Sequence, residues 1–232
     1  RDKIIGANAH GIVMSYVPAA FQQHPDLVQR VEAVEHVRGA TPFIYTEVML
    51  SAAGGVKGLV LRGIDPESAP RVLSMLREIR RGSVADLKRE GTPGIVIGEE
   101  LAKRLGIGLG SRVNLLSPSG EKGATGYSPR IRPFEVVGIF KTGMFEYDAT
   151  LAFVDLKAAR DILGLPDGFL TGIEIMVDDV YKADAIAQSV QDTLGSPFYV
   201  RHWMEMNANL FAALKLEKIG MFILLTMVVL IG

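Results

Sequence analysis

The chain has 232 residues, a formal net charge of -1 and 22% charged residues. That balance excludes a basic nucleic-acid footprint, and no arginine-rich stripe interleaved with aromatics appears. Cysteine is absent altogether, which removes thiol catalysis, disulfide frameworks and thiolate zinc sites together.

Such a length can bury one large core or two small ones. Arg1-Asp2-Lys3 opens into mature-looking sequence rather than a signal peptide, so any earlier membrane span is expected upstream. Gly11 to Ser15 reads as a short strand, and Leu27, Val28, Val31 and Val34 recur at helical spacing after Pro25 and Asp26. Val37 to Ser51 is strand-like, and Gly54-Gly55 turns it into a second strand, Val56 to Leu61, forming a hairpin. Arg71 to Arg80 predicts a basic helix striped by Val72, Leu73, Leu76 and Ile79, its charges solvating the outer face. Ile95 to Ile97 is a compact buried strand. The helix after it carries Leu101 and Leu105 and ends at Gly106. Val113 to Leu116 and Phe134 to Phe140 read as strands around a turn-rich, proline-bounded insertion, Pro118 to Pro129.

Tyr147 to Val154 reads as strand, and Asp155 caps a helix ending near Gly164. Ile173, Ile175 and Val177 alternate on one strand face. Ala183, Ile186, Ala187, Val190 and Leu194 then form a helical stripe. Tyr199 to Trp203 is the last strand, and Met206, Leu210 and Leu214 stripe a terminal helix. Strands mixed with hairpins and helices predict an α+β fold rather than a doubly wound one. From Ile219 to Gly232 the chain is almost wholly apolar, against the roughly 20 residues a bilayer span needs. Lys215, Glu217 and Lys218 flank it as charges flank a helix entering lipid, so residues 213–232 are expected to begin a membrane helix.

Signs of catalysis are few. His10, His24, His36 and His202 lack metal-ligand spacing and read as surface or packing residues. Gly106, Gly108 and Gly110 follow a helix and precede a strand, the reverse of dinucleotide-binding order. Glu146 and Asp148 would share a strand face, yet no nucleophile or cation answers them, so a solvated face is expected. Trp203 is expected to pack where the last strand meets the terminal helix.

Phe134-Glu135-Val136-Val137-Gly138-Ile139-Phe140 followed by Gly143-Met144-Phe145-Glu146-Tyr147-Asp148 resembles the periplasmic region of the lipoprotein-releasing ABC permeases LolC and LolE. So do Pro93 to Ala102, the turn Gly63-Ile64-Asp65-Pro66, and Trp203 with Asn209 to Lys218. The resemblance covers nearly the whole chain in order. It implies a periplasmic domain of two lobes between membrane spans: a porter-like lobe from residues 1–50 and 165–212, and a sabre-like lobe from 51–164. It implies no cofactor in this domain, because ATP is used by a LolD-like cytoplasmic ATPase. The implied partners are outer-membrane lipoproteins, a LolA-like periplasmic carrier, a second permease subunit and the bacterial inner membrane; the domain itself is not an enzyme.

In such permeases an extended hook engages the carrier beside a pad. Residues 118–130 occupy the hook's place, with Pro118, Tyr127 and Pro129 as its candidates and Arg130 and Arg132 as the pad. The other reading is a disordered surface hairpin, which Gly120, Gly123, Ala124 and Gly126 suit. Met204, Met206, Leu210 and Phe211 are lipoprotein-facing candidates or, equally, core. The alternatives are a MacB-type exporter domain contacting an adaptor protein and an FtsX-like regulator of cell-wall hydrolases.

Overall fold

A computed structural model describes residues 9–17, 19–123, 126–206, 216, 219–222 and 224–227, apart from the side chains of 119–128. The fold is mixed α+β. Strand β1 (Gly11–Ser15) is followed by short helices α1 (Ala20–Gln23) and α2 (Leu27–Glu32). The long strand β2 (Val37–Ala52) then turns through Gly54-Gly55 into β3 (Gly55–Ile64), in register from Ala52↔Gly55 to Phe43↔Ile64. Strand β9 (Gly172–Val177), helix α7 (Ala183–Leu194) and strand β10 (Phe198–His202) complete this end. Here the sheet runs β10-β1-β9-β2. Leu27 and Val31 of α2 and Val190 and Leu194 of α7 press on Val13, Ile173 and Ile175 of one face.

The middle of the chain closes on itself. It contributes β5 (Gly94–Gly98), β6 (Arg112–Gly123), β7 (Gly126–Phe140) and β8 (Leu151–Asp155). The pairings β2·β3, β3·β8, β8·β5, β5·β7, β7·β6 and β6·β2 return to their starting strand. Their inward residues, among them Ile44, Leu50, Leu61, Ile95, Val113 and Phe134, fill the enclosed core. Helices α4 (Glu99–Leu105) and α6 (Leu156–Leu163; α3 and α5 follow below) complete it with Leu101, Leu105, Ala159 and Ile162. Gly63 lets α6 approach, because a Cβ there would lie 2.6 Å from the Ala159 Cβ. Gly106 ends α4 at φ 63°, in the left-handed region. Asp155 caps α6 by accepting from the Lys157 N–H at 2.9 Å.

Three segments depart from the sequence expectation. The basic helix over 71–80 is replaced by helix α3 (Ala69–Val72), a 3-10 turn (Ser74–Arg77) and edge strand β4 (Ile79–Gly82). Val72, Leu73, Met75 and Leu76 are all buried, more than one helical stripe can bury, and β7 draws Ile79 to Gly82 into its ladder. Residues 147–150 belong to helix α5 (Phe145–Thr150), and strand β8 begins only at Leu151. The insertion is no loose loop, for β6 and β7 continue through it as a paired hairpin to Gly123↔Gly126.

Candidate functional site

The β6–β7 hairpin stands on the ring at the place where β6 joins β2, through Met49↔Leu116 and Ser51↔Asn114. Antiparallel partners share a face. Met49, Leu116 and Ile131 therefore form a row across β2, β6 and β7 on the outside of the ring. Met49 and Ile131 are about half exposed, with Leu116 partly buried between them. Pro118 and Pro129, both exposed, continue that face toward the tip. Tyr127 pairs with Lys122 along the backbone, and its side chain lies outside the described residues. The sequence reading missed the row because β6 and β2 are joined by a pairing some 65 residues apart, which leaves no local period.

The two pad candidates separate. Arg130 is half-buried over the C-terminus of α6: its Nη1 donates to the Asp161 carbonyl at 3.4 Å, and its guanidinium fills the space over Gly164. A cation there meets the negative end of the helix dipole, so this arginine is engaged within the domain. Arg132 is exposed. It lines a groove of about 990 Å³ with Lys88, Arg89, Lys157, Asp155 and Asp161. Two of those cations are already held, Lys88 by Asp65 at 3.0 Å and Arg89 by Glu135 at 2.9 Å. The groove is thus a mixed-charge surface, not a built anion site.

Elsewhere, Met204 and Met206 are partly buried against Trp203, Val177 and Ile186, while Leu210 and Phe211 lie outside the described residues. Trp203 packs as expected: its indole N–H donates to the Val180 carbonyl at 2.7 Å. Glu146 and Asp148 do not share a strand face. Asp148 is buried and accepts from the Thr142 N–H and hydroxyl, each at 2.8 Å, and from the Gly143 N–H at 3.2 Å. From within α5 it ties down the Thr142–Gly143 turn, whereas Glu146 is exposed. Among the described residues no three His, Asp or Glu side chains come together as metal ligands would.

A ring of strands and an open sheet sharing one long strand is a fold found in solved extracytoplasmic domains. The extracellular domain of YknZ, a noncanonic ABC-type transporter of Gram-positive bacteria, shares the fold with TM-score 0.52 at 15% identity, over 83% of this chain and 100% of that one. The periplasmic region of MacB from Actinobacillus actinomycetemcomitans does so with TM-score 0.54 at 11% identity, over 89% and 95%. The profile of the MacB-like periplasmic core domain matches residues 3–193, and the chain belongs to that family. Among curated relatives, the lipoprotein-releasing system transmembrane protein LolC of Xylella fastidiosa (strain Temecula1) is 31% identical over 100% of this chain and 55% of its own length. LolC of Neisseria meningitidis is 29% identical over 99% and 55%, and LolE of Haemophilus influenzae is 21% identical over 99% and 55%. The chain spans about half the length of the curated relatives it matches.

Proposed function

We propose that this chain is the periplasmic part of an inner-membrane ABC permease subunit that releases outer-membrane lipoproteins and passes them to a soluble carrier. The observation that carries the reading is the alignment of the whole chain, at 31% identity, with a protein named for lipoprotein release. ATP hydrolysis belongs to a separate cytoplasmic ATPase, and a second permease subunit, identical or paralogous, completes the transporter. The physical task is to move acyl chains, at about 0.8 kcal/mol for each CH₂ exposed to water, so an apolar surface must receive them.

The β6–β7 hairpin is the carrier's docking element. Pro118, Tyr127 and Pro129 form its hook, Met49, Leu116 and Ile131 lie at its apolar base, and Arg132 is the pad residue left available. Around this site the chain divides into a porter-like lobe (1–50 and 165–212) and a sabre-like lobe (51–164), the first facing lipoprotein through Met204, Met206, Leu210 and Phe211. Residues 213–232 begin a membrane helix; no helix among the described residues is long and apolar enough to cross a bilayer.

Photo-crosslinking from position 127 in the intact membrane protein tests this. A carrier adduct that disappears when the hairpin is shortened is expected, as is at least tenfold weaker carrier binding by Tyr127→Ala with folding intact. No adduct from a folded, inserted protein would sink the docking role. The likeness to MacB favours a second reading, an exporter domain contacting an adaptor protein. A nucleotide-binding domain fused upstream in the full-length protein would select it.

A further inference from the structure

The path of paired strands runs from β10 at one end of the sheet to β4 at the other. A strand at such an end offers a row of free N–H and C=O groups to any further strand. At β4 that edge is guarded by a bulge between Ile79 and Arg81 and by the exposed Arg80 and Arg81. Strand β10 is differently made. It pairs with β1 without a bulge, its residues Phe198, Tyr199 and Val200 are strong strand formers, and its one arginine, Arg201, lies 3.5 Å from Glu205.

The ladder fixes which groups of β10 point outward. At the pole where β1 and β2 start and β9 and β10 end, the Trp203 N–H donates to the His10 carbonyl at 2.9 Å. At the other end of β10 the Pro197 carbonyl accepts from the Tyr16 N–H at 3.1 Å. Residues 197, 199, 201 and 203 thus bond toward β1, and Phe198, Val200 and His202 turn their backbone groups away from it. The Gly195 carbonyl takes the Phe198 N–H at 3.0 Å. Gln191 of α7 takes the next two groups. Its Nε2 donates to the Phe198 carbonyl at 2.7 Å, and its Oε1 accepts from the Val200 N–H at 2.9 Å. The side-chain amide has the donor and acceptor of a peptide group and stands where a further strand would lie. Next along the edge, the Val200 carbonyl and the His202 N–H have no partner among the described residues.

We infer that Gln191 is a lock on this edge, and that what it keeps out is a second copy of this chain. Two β10 strands meeting antiparallel about Val200 complement each other. Each Val200 N–H meets the other's Val200 carbonyl, and each His202 N–H meets the other's Phe198 carbonyl. Gln191 holds one member of both kinds of bond, the Val200 N–H and the Phe198 carbonyl. The two groups it leaves open are the other members, which have nothing to pair with while the lock is in place.

The test uses the full-length protein in detergent, with any cysteine elsewhere replaced. One population carries Tyr199→Cys and another Arg201→Cys. These positions oppose each other in the strand pair, about 4.5–5.5 Å apart at Cα and within disulfide reach. Each is made with Gln191 and with Gln191→Ala. Mixed under mild oxidation, the Gln191→Ala copies are expected to give at least about fivefold more dimer linked from 199 to 201 than the Gln191 copies. Equal yields from folded proteins overturn the lock. Linking of 199 to 199 as readily as 199 to 201 overturns it too, since that means contact without strand register. Where Gln191→Ala fails to fold, Gln191→Asn, one methylene too short to reach both groups, is read in its place with the same expectation.

Discussion

Asp148 is buried and carries three donors of the adjoining turn on one carboxylate, so its value is structural. Asp148→Ala strands the Thr142 and Gly143 N–H groups and is expected to cost about 2–3 kcal/mol in urea unfolding, while Glu146→Gln leaves the midpoint in place. Equal effects at the two positions would contradict that role. Asp65 offers a second handle. Burial by itself raises its carboxyl, but the Ser68 hydroxyl, the Lys88 ammonium and the Ser68 N–H outweigh burial and hold it below the ordinary value. A carboxyl depressed in the folded state adds stability above its unfolded pKa, and that stability is lost as pH falls through the folded one. Between pH 6 and pH 3 the native chain should therefore lose more stability than Asp65→Asn. Parallel pH profiles would show that the carboxyl contributes nothing through this linkage.

Between elements, the tie to test is Arg62 of β3, which reaches across β2 to Glu174 of β9, with both side chains nearly buried. The Phe43 and Phe153 rings, 5.5 and 5.9 Å from its guanidinium carbon, flank the arginine. Arg62→Met leaves a buried carboxylate uncompensated and is expected to cost about 3–5 kcal/mol, and Arg62→Met with Glu174→Leu to recover most of it. Strictly additive losses would deny the coupling. No periodicity announces such a pair, since its members are 112 positions apart. What local chemistry controls was legible: the β2–β3 hairpin from Gly54-Gly55, α6 from the Asp155 cap and Gly164, α7 from its apolar stripe. Partners distant in sequence decided the rest. The β7 ladder turned residues 79–82 into an edge strand, and the β6·β2 pairing closed the ring. The sequence marks the insertion only as a turn-rich stretch; its strand pairing, its apolar base and the engagement of Arg130 emerge only once strands are paired.

Across the whole molecule, β2 is the common member, sixteen residues or about 50 Å of extended chain, running from the Trp203 pole to the turn at Gly54. A displacement at the pole can reach the hairpin base along one hydrogen-bonded strand. The apolar C-terminal segment stands apart from this frame. Its described residues join none of the four buried apolar clusters, although Leu216, Phe222, Leu224 and Leu225 are at least 64% exposed. So much exposed apolar surface is a liability in water and an asset in lipid. Ending the chain after Met206 removes that exposed surface. The shortened protein should be soluble without detergent and unfold within about 0.5 kcal/mol of the longer chain measured in mild detergent. A large loss of stability would mean that the segment packs on the domain.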